Sequence, residues 1–469
     1  MGAFYKAGES KTRPGVYKRY DKTGTGNVPG AVYGVFAIPI HASFGPLKTV
    51  TNFAKDQVDQ LKALYGTSGT VDAALSLFDG GATKVYVYRL GNEGTVGTTE
   101  IGAVDGSVIA TVSTKYPTDQ SFNITVRPKL DDDKVKQILV YLDTELKETI
   151  NYVKSENEKD AFVIAINTNS AFLTAKAGEG TGAVEAVANK ALTGGTEPNV
   201  TVESYSEAFE AFEAFKWNML VLDTVDPSVH SLAHAYIKRI FEEGALGVCT
   251  LGEPTSVDFE TRSNHARTFN DEKIIYLGSG FEDTDGNKLD GYLAIAKQAG
   301  IIGSLESNKS VTHTVIPGAV NVLESLKNSQ FNAAINSGML MLSTNTEGQV
   351  WFDSGINTLV TPNENQDDGW KKIRRTATRF EMFDRITRAV APIIGKVNCD
   401  NIGVGDVLKQ GRKILKAMEG ELKLKEGATF NEATDLERGP DYAYFVIEAD
   451  DYDSLEKIYL KYQFRFRAE

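Results

Sequence analysis

Residues 31–40, AVYGVFAIPI, are apolar at nearly every position, the pattern of a strand buried on both faces. After Gly45-Pro46, DQVDQLKALYG and TVDAALSLFDGG carry apolar residues at three- and four-residue intervals. That spacing predicts two helices, the second stopped by Gly80-Gly81. KVYVYRL at 84–90 predicts another buried strand, so the segment is a βαβ unit and implies a parallel or mixed sheet. From about residue 201 the rhythm resumes. SYSEAFEAFEAFKW, PSVHSLAHAYIKRIFEEG, VDFETRSNHARTFN and LDGYLAIAKQAGIIGSL predict helices, and NMLVLDT, ALGVCTL and KIIYLGSG predict the strands between them. Three consecutive strand–helix repeats predict a doubly wound sheet continuing the one begun at 31–90.

Two blocks depart from this pattern. Residues 95–200 hold short alternating segments, SVIATVSTKYP, SFNITVRPK and QILVYLD, with Gly-rich turns such as GEGTGA, and read as an inserted β-rich α+β module. In 361–469, DDGWKKIRRTATRFEMFDRITRAVAPIIG and GDVLKQGRKILKAMEGEL predict long helices, followed by strands at YAYFVIEAD and KIYLKYQFRFR. The last strand alternates cleanly. Ile458, Leu460, Tyr462, Phe464 and Phe466 fall on one side, and Tyr459, Lys461, Gln463, Arg465 and Arg467 on the other. This predicts Phe464 and Phe466 packed inward on the C-terminal domain, with a hydrogen-bonding edge left over. Residues 1–30 read as an extended arm, with a strand-like stretch at Val16, Tyr17 and Tyr20 and a Gly-rich linker, TGTGNVPG, at 23–30. The expected organisation is thus an arm at 1–30, a central α/β domain from 31–94 and 201–360, the insert at 95–200, and a C-terminal α+β domain at 361–469.

The net charge of −13 argues against nucleic acid or an anionic membrane as the main partner. The charge is uneven: KTRPGVYKRYDK at 11–22 carries five basic residues against one Asp. Cys249 and Cys399 form neither a disulfide framework nor a zinc spacing, which suits a reducing cytoplasm. No apolar run approaches the length of a membrane span, and no signal peptide is expected.

Catalytic motifs are scarce. His230 and His234 share a helix face, but Ser231 stands where a zincin has glutamate and no third ligand accompanies them. EDTDGNKLD at 282–290 lacks carboxylates at the ends of a calcium loop, with Phe281 and Tyr292 there, and reads as a hairpin turning at Asp285-Gly286. Gly395-Lys396 is followed by Val397, so it is no P-loop, and neither GxGxxG after a strand nor GxSxG occurs. GSG at 278–280 ends a strand, where ligand loops often lie. Neither a cofactor nor a metal is expected.

Several stretches resemble, in order, the contractile tail sheath proteins of bacteriophages, prophage elements and phage-tail-like bacteriocins. GVFAIPIHASFGPLKTV is similar to their first strand and Gly-Pro turn. LYGTSGTVDAALSLFDGGATKVYVYRL resembles the next segment through Tyr65-Gly66, Phe78, Gly80-Gly81, Tyr86 and Arg89, with Asp79 replacing the usual Asn. LDGYLAIAKQAGIIGSLESNKSVTHTVIPGA resembles the Ala-Gly-rich helix that leads into a Ser-x-Thr segment, at Ala299, Gly300, Gly303, Ser310 and Thr312. The Pro-Gly-Val-Tyr arm and the C-terminal block also correspond. The likeness is weakest over 95–200.

The resemblance implies a subtilisin-like fold without catalytic residues. Asp223 ends a strand with no His-Gly after it, and Gly66-Thr67-Ser68 comes before it in the chain instead of last. It further implies a virion-tail subunit, assembled in the host cytoplasm into hexameric rings stacked helically around a tail tube, with baseplate and tail terminator proteins as further partners. The expected assembly arms are Val16, Tyr17 and Tyr20 at one end, and Leu460, Tyr462, Phe464 and Phe466 at the other. The basic stretch at 409–427 offers Lys409, Arg412, Lys413 and Lys416 as candidate tube contacts. Two alternatives remain open: an α/β enzyme for a small molecule, favoured by polar groups converging near 278–280, and a type VI secretion sheath component.

Overall fold

The computed structural model describes residues 32–364 and 366–465; the expected N-terminal arm and linker, and Phe466, lie outside them. The described residues form two compact units, one of 32–380 with 453–465 and one of 381–452. The second is narrower than the expected 361–469.

A seven-stranded sheet organises the larger unit, in the order Met339–Leu340, Ile274–Leu277, Val248–Gly252, Met219–Val221, Val35–Ile40, Lys84–Arg89, Val50–Ala54. All pairings are parallel except the last. Val35–Ile40 is buried at every residue, as its unbroken apolar run requires of a strand covered on both sides. One face packs helices Val71–Gly80 and Gly291–Ser304, and the other packs Val202–Phe212 and Pro227–Glu242, with separate apolar cores. The doubly wound arrangement follows. The antiparallel edge strand Val50–Ala54 and helix Asn328–Ser337 were not legible in the pattern, because only Phe53 in the strand and Ala334 and Ser337 in the helix are buried.

The glycines of the first face have a steric cause. A Cβ on Gly80 would lie 2.4 Å from the Lys297 carbonyl and 2.8 Å from Gly300 Cα, and one on Gly300 would lie 2.5 Å from the Leu77 carbonyl. The two helices approach backbone to backbone. Asp79 meets Lys297 Nζ at 3.1 Å on the rim of this seam.

The insert builds two antiparallel sheets. One is Thr98–Gly102, Val108–Thr114, Leu173–Ala177, and the other is Val187–Ala191, Phe122–Lys129, Asp132–Leu142, Glu145–Val153. With helix Glu158–Asn169 they enclose their own core around Phe122, Ile138 and Phe162. Arg89, fully buried, donates to the carbonyls of Ala42 (2.6 Å), Gly45 (2.8 Å) and Pro117 (2.9 Å), tying the insert to the end of a central strand. Burial holds its guanidinium down at about 10. The expected turn at Asp285-Gly286 is present between Phe281–Asp283 and Lys288–Leu289, with Gly286 at φ 82°.

In the smaller unit the end of helix Ile373–Val390, helix Asn401–Gly420 and a hairpin of Thr429–Glu432 with Phe445–Glu448 enclose Met382, Ile386, Ile414, Leu415, Met418 and Phe430.

Candidate assembly surfaces

The expected terminal strand does not form among the described residues. Residues 453–465 carry no strand, and every residue from Lys457 to Arg465 is exposed. Phe464, expected to pack inward on the C-terminal domain, is 85% exposed, and Tyr459 is 89% exposed. The alternation is present, but a strand needs a neighbour for its backbone groups, and this one has none among the described residues. Ile458, Leu460 and Tyr462 share that exposure. From Lys457 to Arg465 the segment carries three cations, Lys457, Lys461 and Arg465, and no acid.

Just before the exposed stretch the chain is held. Glu456 Oε1 accepts from the hydroxyls of Thr312 (3.0 Å), Ser454 (3.0 Å) and Ser310 (3.2 Å), and Oε2 pairs with the Lys372 ammonium. Burial pushes the Glu456 carboxyl up, but the Lys372 ammonium and the Ser454 and Thr312 hydroxyls outweigh it and leave the group below its ordinary value of 4.5.

The hairpin of the smaller unit has two unlike edges. Ala433 N donates to Tyr444 O, so the ladder alternates with Tyr444, Val446 and Glu448 bonded inward and Phe445 and Ile447 directed outward. On the other strand Phe430 and Glu432 direct their carbonyls outward, and that of Phe430 is covered. It accepts from Arg412 Nε at 2.9 Å, while Arg412 Nη2 donates to Asn431 Oδ1 at 2.8 Å. One edge is therefore capped by a side chain, which blunts it against pairing. The Phe445–Glu448 edge has no further strand beside it among the described residues. Exposed Glu448 and Asp450 lie along and beyond it.

Lys409, Arg412, Lys413 and Lys416 recur at three- and four-residue intervals on Asn401–Gly420, opposite the buried stripe Val404, Gly411, Ile414, Leu415 and Met418. The four thus share a face, but not a role. Arg412 is committed to the hairpin edge, Lys416 pairs with Glu419 at 3.0 Å, and Lys409 is exposed. The cap role of Arg412 was not legible in sequence, because it depends on which hairpin edge meets the helix.

Strand ends near 219–223 and 278–280 were the places to look for enzyme chemistry. The chain order reverses between Val35–Ile40 and Met219–Val221, where α/β sheets commonly hold ligands. That crevice is filled by Asp223, 3% exposed, which accepts from His41 N (3.1 Å), Thr70 Oγ1 and Tyr205 OH (2.9 Å). Burial raises the Asp223 carboxyl against the pull of those donors. At 278–280, Arg262 donates to the Gly278 carbonyl, Gln298 Nε2 donates to the Ser279 carbonyl at 2.8 Å, and Ser279 Oγ accepts from Leu342 N at 3.0 Å. These polar groups bind the elements to one another. Burial holds the His230 imidazole down at about 4, and His234 contacts Asp271 at 3.2 Å. Among the described residues no group of three or more His, Cys, Asp or Glu is placed to hold a metal, and no helix is long and apolar enough to cross a membrane.

Residues 198–358 match the family model of the phage tail sheath protein central domain. Phage-like element PBSX protein XkdK of Bacillus subtilis (strain 168) is 24% identical over 411 residues, 84% of this chain and 83% of that protein. The sheath tail protein of Desulfitobacterium hafniense has a similar structure, with a TM-score of 0.71 at 17% identity, over 93% of this chain and 100% of that one. The helical sheath of the anti-feeding prophage in its contracted state is similar at a TM-score of 0.53 and 11% identity, over 97% of this chain and 99% of that one. The likeness to these solved structures is one of fold.

Proposed function

We infer, from the match of residues 198–358 to the phage tail sheath protein central domain, that the chain is the subunit of a contractile tail sheath. Copies polymerise as hexameric rings stacked around a tail tube, and a change of packing between them drives the tube through a bacterial envelope. In this reading the central sheet is a subtilisin-like scaffold with no catalytic role, and baseplate and tail terminator proteins bound the polymer. No nucleotide is needed, since the work comes from the free-energy difference between two packings of folded subunits.

The observation that carries the reading is the terminal segment. Nine consecutive exposed residues with strand alternation, and with four large apolar side chains on one side, Ile458, Leu460, Tyr462 and Phe464, pair with no strand among the described residues. An exposed stretch of this kind is stable in water when another chain completes the sheet. The open Phe445–Glu448 edge of a second copy is its acceptor. Phe445 and Ile447 offer outward backbone groups, and Glu448 and Asp450 oppose the cations of the arm. Each backbone hydrogen bond nets about 1 kcal/mol, so one junction is weak and a lattice of them is not. The stretch at Val16, Tyr17 and Tyr20 is the second arm of the same mesh. Lys409 and Lys413, with Lys416 held partly by Glu419, form the face toward the tube.

Removing residues 458–469 tests this. The truncated protein is expected to keep the thermal transition of the full chain and to form no sheaths by negative-stain microscopy at concentrations where the full chain does. Sheaths from the truncated protein would sink the reading.

A further inference from the structure

The contact at Glu456 inverts ordinary burial. Its side chain is 16% exposed, while Leu455 beside it is 82% exposed and Lys457 is exposed as well. A carboxylate turned inward between outward neighbours needs a receptor, and one is built for it. Ser310 and Thr312, two residues apart, present both hydroxyls to one oxygen, and Lys372 meets the other. Gly355 makes the room: a Cβ there would lie 2.9 Å from Ser310 Oγ and 3.0 Å from Thr312 Oγ1. The Gly355 carbonyl accepts from Ile373 N at 3.1 Å, which holds the residue next to Lys372 against the same loop.

We propose that Ser310, Thr312, Gly355 and Lys372 form a socket, and Glu456 its plug, making a clasp that fixes the root of the C-terminal arm and sets its free length. This rests on the reading that the arm pairs with another copy. With the clasp closed, the described arm runs from Lys457 to Arg465, nine residues that extend to about 30 Å. Releasing Glu456 adds residues 453–456, about 13 Å of slack. The local concentration of the arm tip at a neighbouring edge then falls by less than about twofold, because it scales near the −3/2 power of linker length. The clasp therefore governs the regularity of the lattice more than its formation. It also explains why a Ser-x-Thr pair lies so far in sequence from the arm it serves.

The test uses the full chain with Cys399→Ser and a nitroxide label on a cysteine placed at position 455 or 462. The expected result is an immobilised label at 455 and a mobile one at 462. Glu456→Gln should bring the 455 label to the mobility seen at 462, and the exchange Lys372→Glu with Glu456→Lys should restore immobilisation. Equal mobility at 455 in the parent and Glu456→Gln proteins, or failure of the charge exchange to restore it, overturns the clasp. The same proteins are then polymerised. Glu456→Gln should give sheaths whose diffraction layer lines are weaker than those of the parent; layer lines of equal sharpness would leave the arm reading standing and overturn the role of the clasp. Absence of sheaths from the parent protein would instead count against the arm reading itself.

Discussion

Arg412→Ala separates a role in the hairpin from the tube-facing role expected of Lys409, Arg412, Lys413 and Lys416 together. In the structure Arg412 closes a hairpin edge through hydrogen bonds of 2.9 and 2.8 Å to Phe430 O and Asn431 Oδ1. Charge-assisted bonds of this kind net about 1.5–3 kcal/mol each when shielded. Arg412 is exposed, and screening and side-chain entropy reduce the pair to about 1 kcal/mol. The loss falls on the hairpin, since Gly411 still seats the helix against the Phe430 ring. Tryptophan fluorescence cannot report it, because Trp217, Trp351 and Trp370 all lie in the larger unit. Amide hydrogen exchange of residues 425–450 in dilute protein does report it, and a loss of about 1 kcal/mol corresponds to roughly fivefold faster exchange. Lys409→Ala, which touches no edge, should leave exchange unchanged and weaken salt-sensitive association with the tube. Lys in place of Arg412 should recover only part of the protection, since one ammonium cannot span both acceptors in the same geometry. If Arg412→Ala leaves exchange untouched and abolishes tube association as Lys409→Ala does, the edge-cap argument is wrong and Arg412 belongs to the tube face.

Gly80→Ala should destabilise the larger unit by about 1–3 kcal/mol, because the new methyl meets backbone atoms that cannot turn aside, and this exceeds the ~0.5–1 kcal/mol a helical glycine regains as alanine. Gly300→Ala should act alike and the double variant should cost less than the sum, since one separation of the helices relieves both; urea unfolding followed by tryptophan fluorescence measures it, and a gain in stability would refute it. Asp271 is buried, which raises its carboxyl, but His234 at 3.2 Å and Lys273 at 2.8 Å prevail and hold it near 2 instead of 3.8. That difference is worth roughly 2 kcal/mol, present in full above the ordinary carboxylate value and lost as pH falls toward 2. The stability gap between the parent and Asp271→Asn should therefore shrink between pH 5 and pH 2, and a constant gap would refute it. Sheath formation should weaken between 0.05 and 0.5 M salt if the cations of the arm face Glu448 and Asp450 on the acceptor edge, because exposed pairs are screened over about a Debye length; insensitivity to salt would remove the charge part of the docking proposal.

Much of the central domain could be read directly. Continuous apolar runs such as AVYGVFAIPI belong in a sheet covered on both faces, and the helices between them carry one clear apolar stripe each. Elements with little burial escaped, among them Val50–Ala54 and Asn328–Ser337, because periodicity records only the residues that packing selects. The candidate assembly surfaces rest partly on sequence pattern. The terminal alternation announced a strand, and the basic spacing on Asn401–Gly420 announced a face. Glu456 gave no sign beyond being the only acid between Asp453 and Glu469, since its partners lie about 84 and 144 residues away in sequence.

The sequence by itself determined the buried strands and the amphipathic helices of the central domain, since burial on one or two faces imprints a period on the chain; that Gly80 and Gly300 sit where two helices meet backbone to backbone came from the structure. The sequence also determined that the last residues have the pattern of a strand. Tertiary structure alone decided that this segment pairs with no strand among the described residues, that Arg412 caps one hairpin edge while the other has no further strand beside it among them, and that Glu456 meets Ser310, Thr312 and Lys372. Those outcomes depend on groups brought together from distant parts of the chain, and pairing across space leaves no period in the sequence to read.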